Sequence, residues 1–166
     1  MSSNGQTDTN QDPSSPFQLA QQHFKEKKYL QASLYYEKAI EKDPTNSEIY
    51  LLKSQCSYSL SNFEHALREV NSGLEKSETN SHNEDSSLIL KVRLLHLRSQ
   101  IYQEMKDFEN AKKDKDRVKR ILQANAQNHE LSKVLEIDAL NESSFKTNDA
   151  SEHREYFSAR VNYKLC

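Results

Sequence analysis

Glycine and proline are scarce in this chain: its 166 residues include only two glycines and three prolines. β-Turns and irregular connections draw on these two residue types more than on any others. Their scarcity favours helices joined by short turns. The length is enough for one compact domain with modest tails, rather than for two independent cores.

The chain also lacks a disulfide framework and a long apolar run. Its two cysteines, Cys56 and Cys166, cannot staple a fold, and no N-terminal stretch resembles a signal peptide or a membrane span. We therefore expect a cytoplasmic protein, with the nucleus as the other reducing compartment, and interpret the sequon at Asn141 as fortuitous.

Charge of one sign is not in excess either. The net charge is -2 although 29% of the residues are charged, so both signs are mixed over the sequence. Such a surface creates no overall field that would attract nucleic acid or an anionic membrane. We expect neither as a partner.

Helical periodicity begins at Ser15, after a polar stretch over residues 1–13 that is predicted to be a disordered leader. Ser15, Pro16 and Gln18 form the pattern of a capping box with proline in the first turn, which predicts a helix to about Lys27. The spacing of apolar residues predicts further helices over 29–42, 47–60, 62–76, about 88–105 and about 108–123. A second capping box is predicted at Ser61-Asn62-Phe63-Glu64.

One domain over residues 14–140 accounts for these helices. Within it, the polar segment 79–86 is predicted to be an exposed loop insertion, because it has no apolar periodicity. Residues 127–140 carry a weaker amphipathic stripe, which predicts a capping helix over one exposed apolar face. Residues 141–166 are predicted to be a flexible or loosely docked tail.

Aromatic and small residues recur at a fixed interval: Tyr29 and Phe63 lie 34 positions apart, and so do Ala32 and Ala66. The first helix pair carries the fullest set of these residues, namely Leu19, Ala20, Phe24, Tyr29, Ala32, Tyr36, Ala39 and Pro44. The second carries Tyr50, Phe63, Ala66, Val70 and Gly73, and the third carries Leu95, Ser99, Tyr102, Phe108, Ala111 and Val118. Lys53, Ser57 and Lys115 depart from the pattern.

This order and spacing resemble the tetratricopeptide repeat. The resemblance covers about residues 14–124 and implies an all-α superhelix of three helix-turn-helix pairs, to which the predicted capping helix adds. It also implies an adaptor or scaffold that binds a protein or peptide partner on its concave face, within a chaperone or complex-assembly pathway. The expected groove residues are Phe17, Gln21, Phe24, Leu51, Gln55, Tyr58, Arg93, His96 and Gln100. Packing of the three aromatic side chains within the solenoid is the alternative for those positions.

The family's carboxylate clamp for acidic chaperone tails uses positions that match Phe17, Gln21, Leu52, Arg93 and Leu97. Only Arg93 supplies a cation there, so the paired donors that such recognition needs are missing. Two alternatives to the adaptor stay open. One is a chaperone co-factor with a degenerate clamp, and the other is a structural subunit whose convex face and tail are buried in a larger complex.

Signatures of catalysis are missing from the sequence. His129-Glu130 is followed by Lys133 where a zinc-binding helix needs histidine, and Gly5 and Gly73 cannot build a phosphate loop. Cys56 lies within a packed helix, as an inert thiol would. The basic stretch from Lys106 to Arg120 is interpreted as a solvated face, with RNA or phosphate contact as the alternative. We expect no enzyme, cofactor, metal or small-molecule substrate.

Overall fold

The computed structural model describes residues 15–79, 84–128, 131 and 133, which fold into helices without any strand. Three antiparallel pairs follow one another along the chain: α1 (Pro16–Lys25) with α2 (Tyr29–Lys42), α3 (Ser47–Ser59) with α4 (Phe63–Thr79), and α5 (Glu84–Glu104) with α6 (Phe108–Ala124). The predicted all-α fold of three helix pairs is confirmed. The leader, most of the predicted capping helix and the tail lie outside the described residues. None of the described helices is both long and apolar enough to cross a membrane.

The helix ends follow from the local sequence. At the start of α1 the backbone N–H of Gln18 donates to Ser15 Oγ at 3.2 Å, and the N–H of Ser15 donates to Gln18 Oε1 at 2.9 Å, so the predicted capping box is confirmed. Helix α2 ends at Lys42, just before the residue that precedes Pro44. The side chain of Asn46 caps α3 by accepting a hydrogen bond from the N–H of Glu48.

The turn inside each helix pair has the same geometry. Lys27, Ser61 and Lys106 take positive φ values of 59°, 56° and 62°. The N–H of the following residue reaches back to a carbonyl five positions earlier, at 2.9, 2.9 and 2.8 Å, as in a Schellman motif. Ser61 is therefore part of the turn, and Asn62 precedes α4. The prediction of Ser61 as the cap of that helix is wrong by one position.

Replacing Ser61 with glycine is expected to raise the free energy of unfolding by about 1 kcal/mol, because a Cβ atom at positive φ is strained and glycine is not. Ser61 is exposed, so the change removes little packing. Urea denaturation of the two proteins measures the difference. Ser61→Ala is the matched control, since it removes the hydroxyl and keeps the Cβ; a gain as large in that variant would contradict the role of the backbone.

Small residues allow the helices of each pair to approach closely. Six small residues of the three pairs are buried: Ala20, Ala32, Ser54, Ala66, Ser99 and Ala111. Gly73 serves the same purpose between repeats, since a Cβ there would lie 2.9 Å from Leu94 Cδ2 and 3.2 Å from Tyr50 Cβ. Ala32 and Ala66, both fully buried, occupy equivalent positions one repeat apart.

Helix α5 is apolar on two sides because it lies between two core clusters. Leu94, Leu97 and Ile101 pack in one cluster with α3 and α4 residues, whereas Val92 and Leu95 pack in the next with Val118 and Leu131. The polar segment before α5 is shorter than predicted: α4 continues to Thr79 and α5 begins at Glu84, so part of 79–86 is helical. Residues 80–83 lie outside the described part of the chain.

Candidate partner-binding groove

The first helix of each pair carries the residues predicted for the concave face. On α1, the Phe17 ring lies 6.1 Å from the Tyr36 ring, and the Phe24 ring meets the Tyr29 ring edge-on at 5.5 Å. Both phenylalanines are partly buried against the first core cluster, and Gln21 lies partly buried between them in sequence. Each ring thus contributes to packing and retains some exposed surface.

On α3, Tyr58 and Gln55 are partly exposed. The Tyr58 ring lies 5.7 Å from Phe63, and its hydroxyl donates to Glu104 Oε1 at 3.4 Å, which joins the ends of α3 and α5. Glu104 was not among the predicted groove residues, because it lies 46 residues from Tyr58 in the sequence and no local pattern indicates that the two side chains meet.

Leu51 requires a correction. It was predicted to line the groove, but its side chain is 0% exposed and packs in the second core cluster with Leu94 and Leu97. The reason is that α5 packs directly against α3 and covers this position. A partner in the groove cannot contact Leu51 without opening that interface.

On α5, His96 and Gln100 are one helical turn apart and their side-chain nitrogens, both Nε2, lie 3.0 Å apart. His96 also borders a groove of about 520 Å³ whose other walls come from α6 and the turn that follows it. Arg93 is partly buried one turn earlier.

Two of the five positions of a carboxylate clamp carry leucines that pack against the core. Leu52 packs against the first cluster, and Leu97 is buried in the second. Arg98, the nearest additional cation, donates from Nε and Nη2 to the two Asp114 oxygens at 2.7 Å each and from Nη1 to Asn71 at 2.8 Å. The hydrogen bonds to Asp114 raise the pKa of Arg98. This guanidinium joins three helices and is committed to structure.

A polar cluster lies under the convex face and explains two departures from the repeat pattern. Glu69 on α4 accepts from Ser57 Oγ at 2.8 Å through Oε2, while its Oε1 lies 3.4 Å from Lys53 Nζ and 2.8 Å from His65 Nδ1. Lys53 and Ser57 are the residues that replace the usual apolar and aromatic side chains. The cluster borders a groove of about 470 Å³ between α2 and α4.

The remaining residues that the sequence analysis considered for reactivity, metal binding or basic contacts are Cys56, the histidine and acidic side chains, and the charged residues of α6. Cys56 is fully buried, and burial raises the pKa of its thiol well above the usual value, which disfavours the reactive thiolate. Within the described residues, no three histidine, cysteine or acidic side chains are grouped to hold a metal ion. On α6, Lys113 pairs with Glu109 at 2.7 Å on the surface, whereas Asp114 is buried.

Comparisons with known proteins agree with this architecture. A family model described as anaphase-promoting complex, cyclosome, subunit 3 matches residues 6–72, and a tetratricopeptide-repeat model matches residues 92–116. The N-terminal domain of stress-induced protein-1 (STI-1) from C. elegans superposes with a TM-score of 0.59 at 21% identity, over 74% of this chain and 91% of that one. The first repeat domain of Spaghetti (RPAP3), bound to the HSP90 peptide SRMEEVD, has a TM-score of 0.54 at 21% identity, over 75% and 90%. No curated protein sequence matches the chain.

Proposed function

Since the chain belongs to the tetratricopeptide-repeat family, we propose that it is an adaptor that binds a segment of a partner protein on the concave face of α1, α3 and α5. Repeats of this kind stack into solenoids whose faces bind extended or helical segments. The proposal places this activity in the cytoplasm or nucleus and assigns the chain no catalysis.

The partly exposed aromatic rings of Phe17, Phe24 and Tyr58 carry the proposal. The predicted groove also includes the amide side chains of Gln21, Gln55 and Gln100, which can both donate to and accept from a peptide backbone. Such a surface suits a ligand with apolar anchors and ordinary backbone hydrogen bonds. Most of its binding free energy then comes from burial of the anchors, with little dependence on salt.

An acidic chaperone tail is the alternative ligand, since the Spaghetti domain binds the HSP90 peptide SRMEEVD. Here Leu52 and Leu97 occupy clamp positions and pack into the core, so the donors for a terminal carboxylate are missing. Calorimetry with SRMEEVD is the direct test, and we expect no binding tighter than about 0.1 mM. If the peptide bound with micromolar affinity and Arg93→Ala abolished that binding, the co-chaperone function would replace the adaptor with an apolar-anchor ligand as the proposed function.

Truncation of Tyr58 is expected to weaken binding of the native partner at least about tenfold, because an aromatic anchor in a desolvated groove contributes about 2 kcal/mol or more. Partners are recovered by affinity purification with the tagged full chain and quantified by mass spectrometry. Since the Tyr58 ring also packs on Phe63, Tyr58→Ala is compared at a temperature where circular dichroism shows both proteins folded.

Two further variants separate binding from stability. Gln55→Arg adds bulk and charge within the groove and leaves the aromatic packing intact, so it should also reduce binding. Arg68→Ala, at an exposed position of α4 beside the convex groove, is the matched control and should bind normally. Loss of partners in Arg68→Ala or on deletion of residues 141–166, together with normal binding by Tyr58→Ala, would favour the structural-subunit alternative. The match to a family model of an anaphase-promoting complex subunit supports that alternative.

A further inference from the structure

Each helix pair after the first meets the preceding pair through a charged group at the same repeat positions. A basic residue on the first helix of the pair contacts an acidic residue 16 positions later on the second helix, namely Lys53 with Glu69 and Arg98 with Asp114. The preceding pair adds a third residue, which is Glu37 in the first case and Asn71, 34 positions later, in the second. The two junctions can therefore be compared position by position.

The second junction is filled by Arg98. Its guanidinium makes three hydrogen bonds of 2.7–2.8 Å to Asp114 and Asn71. Its central carbon lies 6.0 Å from the centre of the Tyr102 ring. The chain itself thus supplies the cation that pairs with acceptors from α4 and α6.

The first junction is left open. Lys53 Nζ lies 3.4 Å from Glu69 Oε1 and 3.8 Å from Glu37 Oε1. The residue that corresponds to Tyr102 is Ser57. A lysine is shorter than an arginine and presents a single nitrogen, and here a serine hydroxyl also replaces an aromatic ring. These changes leave the convex groove of about 470 Å³ between α2 and α4.

The carboxylates that line the convex groove have unused acceptor capacity. Glu69 Oε1 is buried and accepts no hydrogen bond, in a side chain that is only 8% exposed. Glu37 is 61% exposed, and Glu41, one turn later on α2, forms no hydrogen bond or ion pair within the described residues. Besides these three carboxylates, the groove contains Lys53, Arg68 and one histidine. With the histidine neutral, one carboxylate is in excess, so a single added cation balances the charge.

An apolar surface lies beside these carboxylates. Ile40 and Pro44 alternate with Glu37 and Glu41 along one side of α2 and the turn after it, at spacings of three and one residues. Tyr50 of α3 adds its ring, and its hydroxyl donates to the Pro44 carbonyl at 3.1 Å, which holds the ring against the end of α2. A ligand in this groove therefore meets an apolar floor next to an acidic wall.

We propose that the convex groove binds an arginine of a partner protein, whose guanidinium pairs with Glu37 and Glu41 while an adjacent apolar side chain packs on Tyr50. The guanidinium then fills the first junction as Arg98 fills the second. Arginine fits better than lysine, because its planar fork can bond two carboxylates at once and is more weakly hydrated. The inference does not rest on the concave groove, and it gives the adaptor a second binding surface on the opposite side.

A second copy of the chain is the poorer occupant. The exposed arginines of α6 are Arg117 and Arg120, and neither has an exposed apolar side chain next to it in sequence. They cannot supply the cation and the apolar anchor together. Charge complementarity therefore favours a different protein that presents an arginine beside an apolar residue.

The probe is an acetylated and amidated peptide, GSRLSG, titrated into the isotope-labelled full chain and followed by NMR. Amide shifts should be concentrated at Ile40, Glu41 and Tyr50, with a dissociation constant of about 1 mM. The matched peptide contains citrulline in place of arginine, which keeps the shape and removes the charge. It should bind at least about fivefold more weakly, because charge-assisted hydrogen bonds are lost.

Variants of the protein test the same contact from the other side. Glu41→Gln should weaken the arginine peptide at least about fivefold. The matched control is Glu75→Gln, which removes a carboxylate from the equivalent exposed position of α4, 34 residues later, and should bind normally. Lys53→Arg supplies a guanidinium from within the chain, so it should also weaken the peptide while raising the melting temperature.

Four results would overturn the inference. These are no shifts at about 10 mM peptide, equal binding of the citrulline peptide, equal losses in Glu41→Gln and Glu75→Gln, and a dimer in sedimentation that Glu41→Gln dissociates, which would make a second copy the occupant. Shifts centred on Gln55 and Tyr58 would contradict it as well, and would leave the proposed concave groove in place.

Discussion

Replacement of Glu69 with leucine is expected to lower the free energy of unfolding by about 3 kcal/mol or more, because it leaves Lys53 buried without its principal counter-charge. The side chains of Glu69 and Lys53 are only 8% and 11% exposed. The remaining carboxylate near Lys53 is that of Glu37, which lies 3.8 Å away and is 61% exposed, so it is well screened. Ser57 would lose its hydrogen-bond acceptor as well.

A double-mutant cycle separates the loss of the pair from the loss of packing. Lys53→Met combined with Glu69→Leu removes both charges and keeps apolar volume, so the double variant should be more stable than Glu69→Leu alone by about 2 kcal/mol. Urea denaturation measures all four proteins. Strict additivity of the two single effects would show that the lysine and the glutamate do not depend on each other, and that the cluster is only packing.

Arg98→Met is expected to destabilise the protein by about 3 kcal/mol, the second large effect. The Arg98 side chain is 16% exposed, and its guanidinium makes both hydrogen bonds to Asp114, whose side chain is 4% exposed, so its removal leaves a buried carboxylate unpaired. It also removes the bond to Asn71 that joins α4 to α5 and α6. Chemical denaturation followed by circular dichroism measures the loss.

Two controls define the cause of this loss. Arg98→Lys keeps the positive charge but cannot make two parallel hydrogen bonds to one carboxylate, so it should recover only part of the stability. Lys113→Met breaks the surface pair with Glu109, in which both side chains are more than half exposed, and should cost less than about 0.5 kcal/mol. If Arg98→Met proved as mild as Lys113→Met, the buried pair would not hold the third repeat in place.

Local rules were sufficient for the helix boundaries that depend on short-range chemistry. The capping box at Ser15, the bounds of α2 and the equivalence of Ala32 and Ala66 all follow from residues within one or two turns or from the repeat interval. Ser61 was predicted to cap α4 because Glu64 follows it at the spacing of a capping box. In the structure Ser61 instead takes the left-handed conformation that the turn of each pair requires at this position.

The candidate groove was predictable only in part. The repeat predicted groove positions on α1 and α3, among which Tyr58 and Gln55 are partly exposed, and their contact with a partner stays a prediction. Leu51 was misplaced because exposure depends on how closely α5 packs against α3, which no local pattern records. Glu104 was missed for the same reason, since its contact with Tyr58 exists only once the two helices lie side by side.

What the sequence determined by itself is the six helices of the described residues, their pairing and the family to which the repeat belongs, because caps, periodicity and repeat spacing are local or regular properties. Tertiary structure decided the roles of the charged residues. Lys53 and Ser57 look like defects of the repeat until Glu69 is brought beside them. Arg98 is one more cation near the clamp positions until Asp114 and Asn71 accept three of its five N–H donors. A buried charge is stable only with its partner, and partners that come from different helices are chosen by packing.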